Sequence, residues 1–177
     1  MPQAFQILLL PILFIYSLAS QAEDNAAHKS MVLFQTLKHI DWGSSKGVNK
    51  PLNFCSLTQN EHSAAHRLAL KQVIKSGQNL VYFHHFYQLE DLTDYNLEFG
   101  CDIYYFDNVF SQLNIRQNLA TAIQQRSVTI GNSETFLLQN GTMAFIEKTN
   151  QLNLYLNPHQ SLVPTTQPLS LYLSTPE

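Results

Sequence analysis

The spacing of apolar residues along the chain switches repeatedly between helical and strand periodicity. Apolar positions three and four residues apart indicate helices, and short apolar runs rich in β-branched and aromatic residues indicate strands. Helices are predicted at 25–40, 60–76 and 111–126, a short helix or loop at 90–99, and strands at 52–57, 80–87, 101–106 and 128–130. Strands that alternate with helices predict an α/β fold, a three-layer domain with a mainly parallel sheet flanked by helices.

The periodicity changes after a predicted loop at 131–141. Segments 142–148 and 152–156 form a predicted C-terminal antiparallel hairpin that turns at Asn150–Gln151. In its second strand, leucines alternate with polar or aromatic residues, which is typical of a half-buried strand with one polar face. The tail that follows contains four prolines, so no long helix can cross it intact.

The amino end has the pattern of a secretory signal peptide. No charged side chain occurs in 1–22, and the apolar run Ile7–Tyr16 has the length of a signal-peptide core rather than of a membrane-spanning helix. Small residues at Ser20 and Ala22 suit cleavage. We predict a signal peptide over 1–22 and one domain over 23–177, with a buried or anchoring N-terminal helix as the alternative.

Composition narrows the class of protein. Of the 177 residues, 45% are apolar and 13% charged, and the net charge is −3. Without a basic field, nucleic acid is not an expected partner. The length suits a single domain with a sizeable core.

The mature part contains two cysteines, Cys55 and Cys101. In an oxidising compartment, an even number of cysteines is read most simply as one disulfide. Two buried free thiols are the alternative at this stage.

No pattern of residues predicts catalysis. His62 and His66 stand four apart, a spacing that can chelate zinc, but no third ligand is evident, and an exposed helix face explains the pair equally well. His84 and His85 are adjacent on a strand, so they point to opposite faces. The chain has no nucleophile elbow and no glycine-rich phosphate loop. We predict no catalytic residues, no metal site and no cofactor.

Large apolar residues at predicted loops remain. Trp42 follows the first helix, and Phe136 and Leu137 lie in the 131–141 loop. Such residues either lock an element onto the core or anchor a contact with another protein. We predict the second role, partner binding, for Trp42, Phe136 and Leu137. The sequence Asn140-Gly141-Thr142 is a glycosylation sequon by pattern, but it equally describes a turn.

The order of these features resembles the YfiR/HmsC-like family of small periplasmic proteins. The resemblance runs from about residue 26 to 157 and is most specific from Val128 onward. Its elements are Ile40-Asp41-Trp42, Phe54-Cys55, Cys101-Asp-Ile-Tyr-Tyr-Phe106, Val128-Thr-Ile-Gly131, Phe136, Gly141 and Asn157. The chain departs from the family pattern at Asn140, Asn153 and Leu154, and no proline follows Trp42.

The resemblance implies regulation without catalysis. Members of this family repress an inner-membrane diguanylate cyclase by contacting its periplasmic sensor region, which lowers cyclic di-GMP and biofilm formation. Cys55 and Cys101 match the family's paired cysteines, whose disulfide keeps the repressor folded. The same resemblance implies a periplasmic protein that does not insert into the membrane after its signal peptide is cleaved. It leaves open whether the protein forms a homodimer.

Another class of function is a periplasmic small-ligand binding module that feeds a membrane receptor or sensor kinase. An α/β sheet offers a crevice at the carboxyl ends of its strands. In this chain that crevice would lie near Ser56, Leu57, Asp107 and Asn108. A secreted hydrolase is a third, weaker hypothesis, because paired carboxylates across a cleft cannot be placed from the sequence.

Overall fold

The computed structural model describes residues 25–38, 40, 50–76, 78–106, 117, 120, 127–148, 151–157 and 173–174. The helices described over several consecutive residues are α1 (25–38), α2 (Ala64–Ala69), α3 (Leu89–Glu98) and α4 (Glu134–Leu138), and residues 117 and 120, within the predicted 111–126 helix, are also helical. The strands are β1 (Leu52–Leu57), β2 (Val73–Ser76), β3 (Asn79–Phe86), β4 (Ile103–Phe106), β5 (Val128–Gly131), β6 (Met143–Lys148), β7 (Gln151–Leu156) and β8 (Leu173–Ser174). The predicted signal peptide and most of the predicted 111–126 helix lie outside the described residues.

All described strands join one sheet in the order β2-β3-β1-β4-β5-β6-β7-β8. The five central strands, from β3 to β6, are parallel. Strand β2 is antiparallel to β3 at one side, and β7 is antiparallel to β6 at the other. The predicted α/β fold, with its mainly parallel sheet and C-terminal antiparallel hairpin, is confirmed.

The sheet separates two apolar layers, because side chains alternate between the faces of each strand. On the first face, α1 and α2 pack against residues such as Phe54, Val81 and Phe145. On the second face, α3 and α4 pack with Leu57 and Phe106. The three layers are therefore helices α1 and α2, the sheet, and helices α3 and α4.

The helix predicted over 60–76 is wrong in its second half. Helix α2 ends at Ala69, Gln72 adopts a left-handed conformation with φ of 58°, and Val73–Ser76 forms the edge strand β2. The physical reason is the dual preference of Val73 and Ile74, which fit a helical spacing as well as a strand. Pairing with β3 decides between the two, and this tertiary contact is invisible to local periodicity.

Two predictions about the C-terminal part also need correction. The loop predicted at 131–141 contains α4, whose first turn is capped by Ser133, since its side chain accepts a hydrogen bond from the Phe136 amide at 3.2 Å. Strand β7 is more buried on its polar face than predicted, because Tyr155 lies in the second apolar layer, while Asn153 on the same face is half-buried.

Candidate functional site

The disulfide joins the two central strands of the sheet on the α3 side. Strands β1 and β4 are parallel neighbours, and their register sets Cys55 beside Tyr104. Cys101 precedes β4 and lies outside the ladder, with its Cα 5.9 Å from that of Cys55. That separation suits an unforced bridge. The predicted pairing of Cys55 with Cys101 is present, and both residues are buried.

A set of side-chain hydrogen bonds fixes the segment around Cys101. The Asn96 side-chain oxygen, on α3, accepts from the Cys101 amide at 3.0 Å and from the Tyr104 hydroxyl at 2.6 Å. The Ser127 hydroxyl donates to the Cys101 carbonyl at 2.7 Å. Gly100, with φ of 75°, makes the left-handed turn between α3 and this segment. Helix α3 is thus tied to the disulfide through Asn96.

Asn53 and Asp102 extend this network at the start of the strands. The Asn53 amide donates to the Asp102 carboxylate at 2.9 Å, and the Asp102 amide donates to the Asn53 carbonyl at 2.9 Å. The Asn53 side-chain NH2 donates to the Gly100 carbonyl at 2.9 Å. The turn before β4 is therefore held by β1 through side chains as well as by the covalent bridge.

Beside the disulfide, the sheet leaves part of its α3 face uncovered. We define the aromatic surface as Leu80, Tyr82, His84, Tyr95 and Phe99. The first three alternate along β3 on one face, and the ring of Tyr95 lies 4.5 Å from that of His84 and 4.9 Å from that of Phe99. Phe99 is 60% exposed and Tyr82 39% exposed. An exposed apolar group of this kind is a candidate interaction site.

Burial shifts the pKa values of the titratable groups in this region. The pKa of Tyr104 is raised well above its usual range by burial and secondly by the negative charge of Asp102. Burial, with the same carboxylate, also raises the pKa of Tyr95. Burial lowers the pKa of His84, whose Nε2 lies 2.8 Å from the Tyr95 hydroxyl oxygen. All three side chains are therefore uncharged at neutral pH.

The Phe136 ring is enclosed by two glycines. A Cβ atom added at Gly131 or at Gly141 would overlap the ring. The Asn157 side-chain NH2 donates to the carbonyls of Leu137 and Gly141, each at 3.0 Å, and so ties α4 to the end of β7. Gly131, Phe136, Gly141 and Asn157, which contribute to the family resemblance, therefore form one contiguous set of contacts.

The structure describes two of the three predicted partner-binding residues, and both are buried. Phe136 and Leu137 are buried in the layer under α4, whereas Leu138 is 83% exposed. The physical reason is the helix α4, which turns the first two side chains toward the sheet and the third outward. Buried side chains offer little surface to another protein. A direct contact through Phe136 and Leu137 stays a prediction, and Trp42 lies outside the described residues.

The structure describes two of the four residues expected to line a ligand crevice at the carboxyl ends of the strands. Ser56 and Leu57 are each 1% exposed, and Asp107 and Asn108 fall outside the described residues. The sequon reading of Asn140 also finds no support, because Asn140 makes a left-handed turn with φ of 69° and Thr142 is buried.

The histidines pair across elements rather than along the helix. His62 is exposed in the turn before α2, while the His66 ring lies 5.2 Å from the His85 ring on β3. His84 and His85 face opposite sides, as predicted. Within the described ranges, no group of three or more histidine, cysteine or acidic residues could hold a metal ion. Sequence spacing missed the pair because the two residues meet only through the packing of α2 on β3.

The described residues thus form a three-layer α/β domain with one buried disulfide and an aromatic surface beside it. A family model described as YfiR/HmsC-like matches residues 26–162. The chain belongs to the YfiR/HmsC-like family. No curated protein matches it.

The part of the chain that the structure describes contains no helix long and apolar enough to cross a membrane.

Proposed function

We propose that the protein is a periplasmic regulator that represses an inner-membrane diguanylate cyclase by protein–protein contact and so lowers cyclic di-GMP and biofilm formation. The observation that carries this proposal is the family match over 26–162. The partner is the periplasmic sensor region of the cyclase.

The aromatic surface supports a contact of this kind. Phe99 and Tyr82 are large and exposed, and aromatic residues dominate the binding energy of protein interfaces. The neighbouring edge strand β2 adds Val73, which is exposed and lies opposite Tyr82. The uncharged His84 and Tyr95 keep the centre of the surface free of charge, which lowers the cost of removing water from it.

The disulfide gives this surface its shape. Tyr95 belongs to α3, and Phe99 follows directly after it. The next residues along the chain, Gly100 and Cys101, are held by Asn53, Asn96 and the bridge to Cys55. Reduction would release Cys101 and, through Asn96, loosen α3. We therefore expect repression to require the oxidised protein.

Trp42, Phe136 and Leu137 remain proposed partner contacts of a second kind. Because Phe136 and Leu137 are buried, their part of the interface would be presented through Leu138, the exposed residue of α4. The two surfaces can be separated by mutation.

The experiment measures cyclic di-GMP in a strain that encodes the cyclase, with and without this gene. Deletion should raise cyclic di-GMP, and the wild-type gene should restore the low level. The double variant Tyr82→Ser/Phe99→Ser should fail to restore it while the purified variant keeps the wild-type melting temperature. An unchanged cyclic di-GMP level after deletion, with the cyclase present, would refute the proposed function.

Leu97→Ser is the matched control. Leu97 is 80% exposed and apolar, like the residues under test, and it lies on α3 outside the aromatic surface. It should restore repression fully. If Leu138→Ser rather than the double variant abolishes repression, the contact lies at α4 and the role of the aromatic surface is wrong.

A further inference from the structure

The helices on the two faces of the sheet carry charges of opposite sign. In the described residues of α1 and α2, the charged side chains are Lys29, Lys38 and Arg67, and none of them is acidic. Helix α3, on the other face, contains four acidic residues and no basic one. The face covered by α1 and α2 therefore favours an anionic ligand.

A groove lies between α1 and α2 on this face. Its volume is about 370 Å³, which is within the range of about 300–1,000 Å³ that is usual for small-molecule sites. The groove is open to solvent, since Met31 on its edge is 56% exposed. Its described lining contains no acidic residue and combines apolar with basic side chains, chiefly Ala27, Met31, Phe34, Leu68, Arg67 and Lys71.

Two ammonium groups converge on the ring of Phe34 in this groove. Nζ of Lys38, on α1, lies 4.9 Å from the ring centre, and Nζ of Lys71, just after α2, lies 5.9 Å from it. No described acidic side chain forms an ion pair with either lysine. Because like charges held close together repel each other, an anion bound between them would be stabilised by both.

The lining favours an alkyl chain over a peptide as the apolar part of the ligand. Main-chain groups within α1 and α2 are bonded inside their own helices. Among the described lining side chains, Ser30 is the only uncharged one with a hydrogen-bonding group. An extended peptide would lose water from its amides and find few partners in return, whereas an alkyl chain has no such groups to satisfy.

We propose that this groove binds a medium-chain fatty acid. Lys38 and Lys71 hold its carboxylate, and Met31, Phe34 and Leu68 contact its alkyl chain. The site lies on the opposite face of the sheet from the aromatic surface, so it is separate from the proposed contact with the cyclase.

The test uses the purified protein and sodium decanoate below its micelle concentration, with binding followed by calorimetry and by the methionine methyl resonances in NMR. Decanoate should bind saturably at one site and shift the Met31 methyl resonance, while that of Met143, which is 0% exposed, stays in place. Hexanoate should bind at least about tenfold more weakly, because it buries fewer methylene groups. Decanol, which has the same chain and no charge, should bind at least about fivefold more weakly.

The double variant Lys38→Met/Lys71→Met removes both charges and keeps the apolar stems. It should weaken decanoate binding at least about fivefold and leave decanol binding within about twofold of wild type. Lys75→Met is the matched control, because Lys75 is also exposed but lies on β2 outside the groove. It should bind both ligands within about twofold of wild type.

Three results would overturn the proposal: equal binding of decanoate and decanol by the wild type, a Met31 resonance that does not move, or an equal loss of decanoate binding in Lys75→Met and the double variant. Without decanoate binding, co-sedimentation with phosphatidylglycerol vesicles would assign this face to a bilayer, and a dimer that the double variant lacks would assign it to a second copy of the chain. Either result also overturns the proposal. The comparison of ligands on the wild type decides the question even if a variant fails to fold. Cyclic di-GMP is not a readout here, so this test and that of the proposed function fail independently.

Discussion

The two faces of the sheet are held in different ways. On the face covered by α1 and α2, the core is apolar side chains packed against Phe54, Leu68 and Val81. On the face covered by α3 and α4, the packing is supplemented by the disulfide and by Asn96, whose side chain bonds to the segment before β4. The first face therefore depends on burial with a few side-chain hydrogen bonds, such as that from the Ser76 hydroxyl to the Leu37 carbonyl, whereas the second also depends on one covalent bond. A chemical change can act on the second face and leave the first intact.

The largest expected effect is loss of the disulfide. The double variant Cys55→Ala/Cys101→Ala should lower the free energy of unfolding by about 4 kcal/mol, because the bridge closes a long loop in the unfolded chain. Urea unfolding measures this loss. Amide exchange in α3 should accelerate more than in α2, since α3 is linked to Cys101 through Asn96.

Mass measurement provides the control. The unreduced wild-type protein should be lighter than the reduced protein by two hydrogens, and a reductant should have no effect on the double variant. Equal acceleration of exchange in both helices would contradict the separate dependence of the two faces.

A truncation on the other face should cost slightly less. Leu68→Ala removes a fully buried side chain from α2 and should lower the free energy of unfolding by about 3 kcal/mol, through lost burial and the cavity left behind. Leu70→Ala, at the exposed end of the same helix, should change it by less than about 0.5 kcal/mol. Urea unfolding of both variants checks the pair. A redox-dependent loss in Leu68→Ala would show that the faces are coupled.

The hydrogen bonds of α3 come next. Asn96→Ala removes the acceptor for the Cys101 amide and the Tyr104 hydroxyl, both in buried residues, and should cost about 2 kcal/mol. Thr93→Ala, on the exposed side of α3, is the control and should be nearly neutral. Thermal unfolding compares the two variants. If the Asn96 variant is as stable as the control, the disulfide alone holds this segment.

The smallest effect concerns Tyr104 at high pH. Because the folded protein raises the pKa of Tyr104, it favours the neutral phenol, and this contribution to stability is complete below the unfolded value of about 10 and is lost as the pH rises above it. Urea unfolding between pH 8 and 11, a range of about three units, should show a steeper fall for wild type than for Tyr104→Phe. Identical slopes would mean that the phenol ionises equally in both states.

The sequence predicts the parts of this fold that local pattern controls. The strand at 52–57 appears where the periodicity placed it, and the strands of the C-terminal hairpin lie within one residue of their predicted bounds, although Gln151 belongs to β7 and not to the turn. The helix predicted over 60–76 is wrong in its second half because Val73 and Ile74 fit both a helix and a strand. Pairing with the neighbouring strand β3 selects the strand. Helix α4 was missed because five residues are too few to show a period.

The candidate sites likewise divide into one that the sequence predicts and others that only the tertiary structure reveals. The pairing of Cys55 with Cys101 followed from the number of cysteines and from the family resemblance, neither of which requires coordinates. The aromatic surface and the groove beside Phe34 depend on which residues of α1, α2, β3 and α3 become neighbours. No local pattern contains that information. Composition identified Phe136 as large and apolar, but only the two glycines around its ring show that it belongs to the interior.

The disulfide also makes a closed ring of chain. The residues between Cys55 and Cys101 include α2, β2, β3 and α3, so two of the eight described strands and the second half of β1 lie inside this ring. A protease that cuts once within it, for instance in the exposed residues between β1 and α2, produces two fragments that stay covalently joined. Such a nicked molecule keeps all of its strands in one body until a reductant separates them.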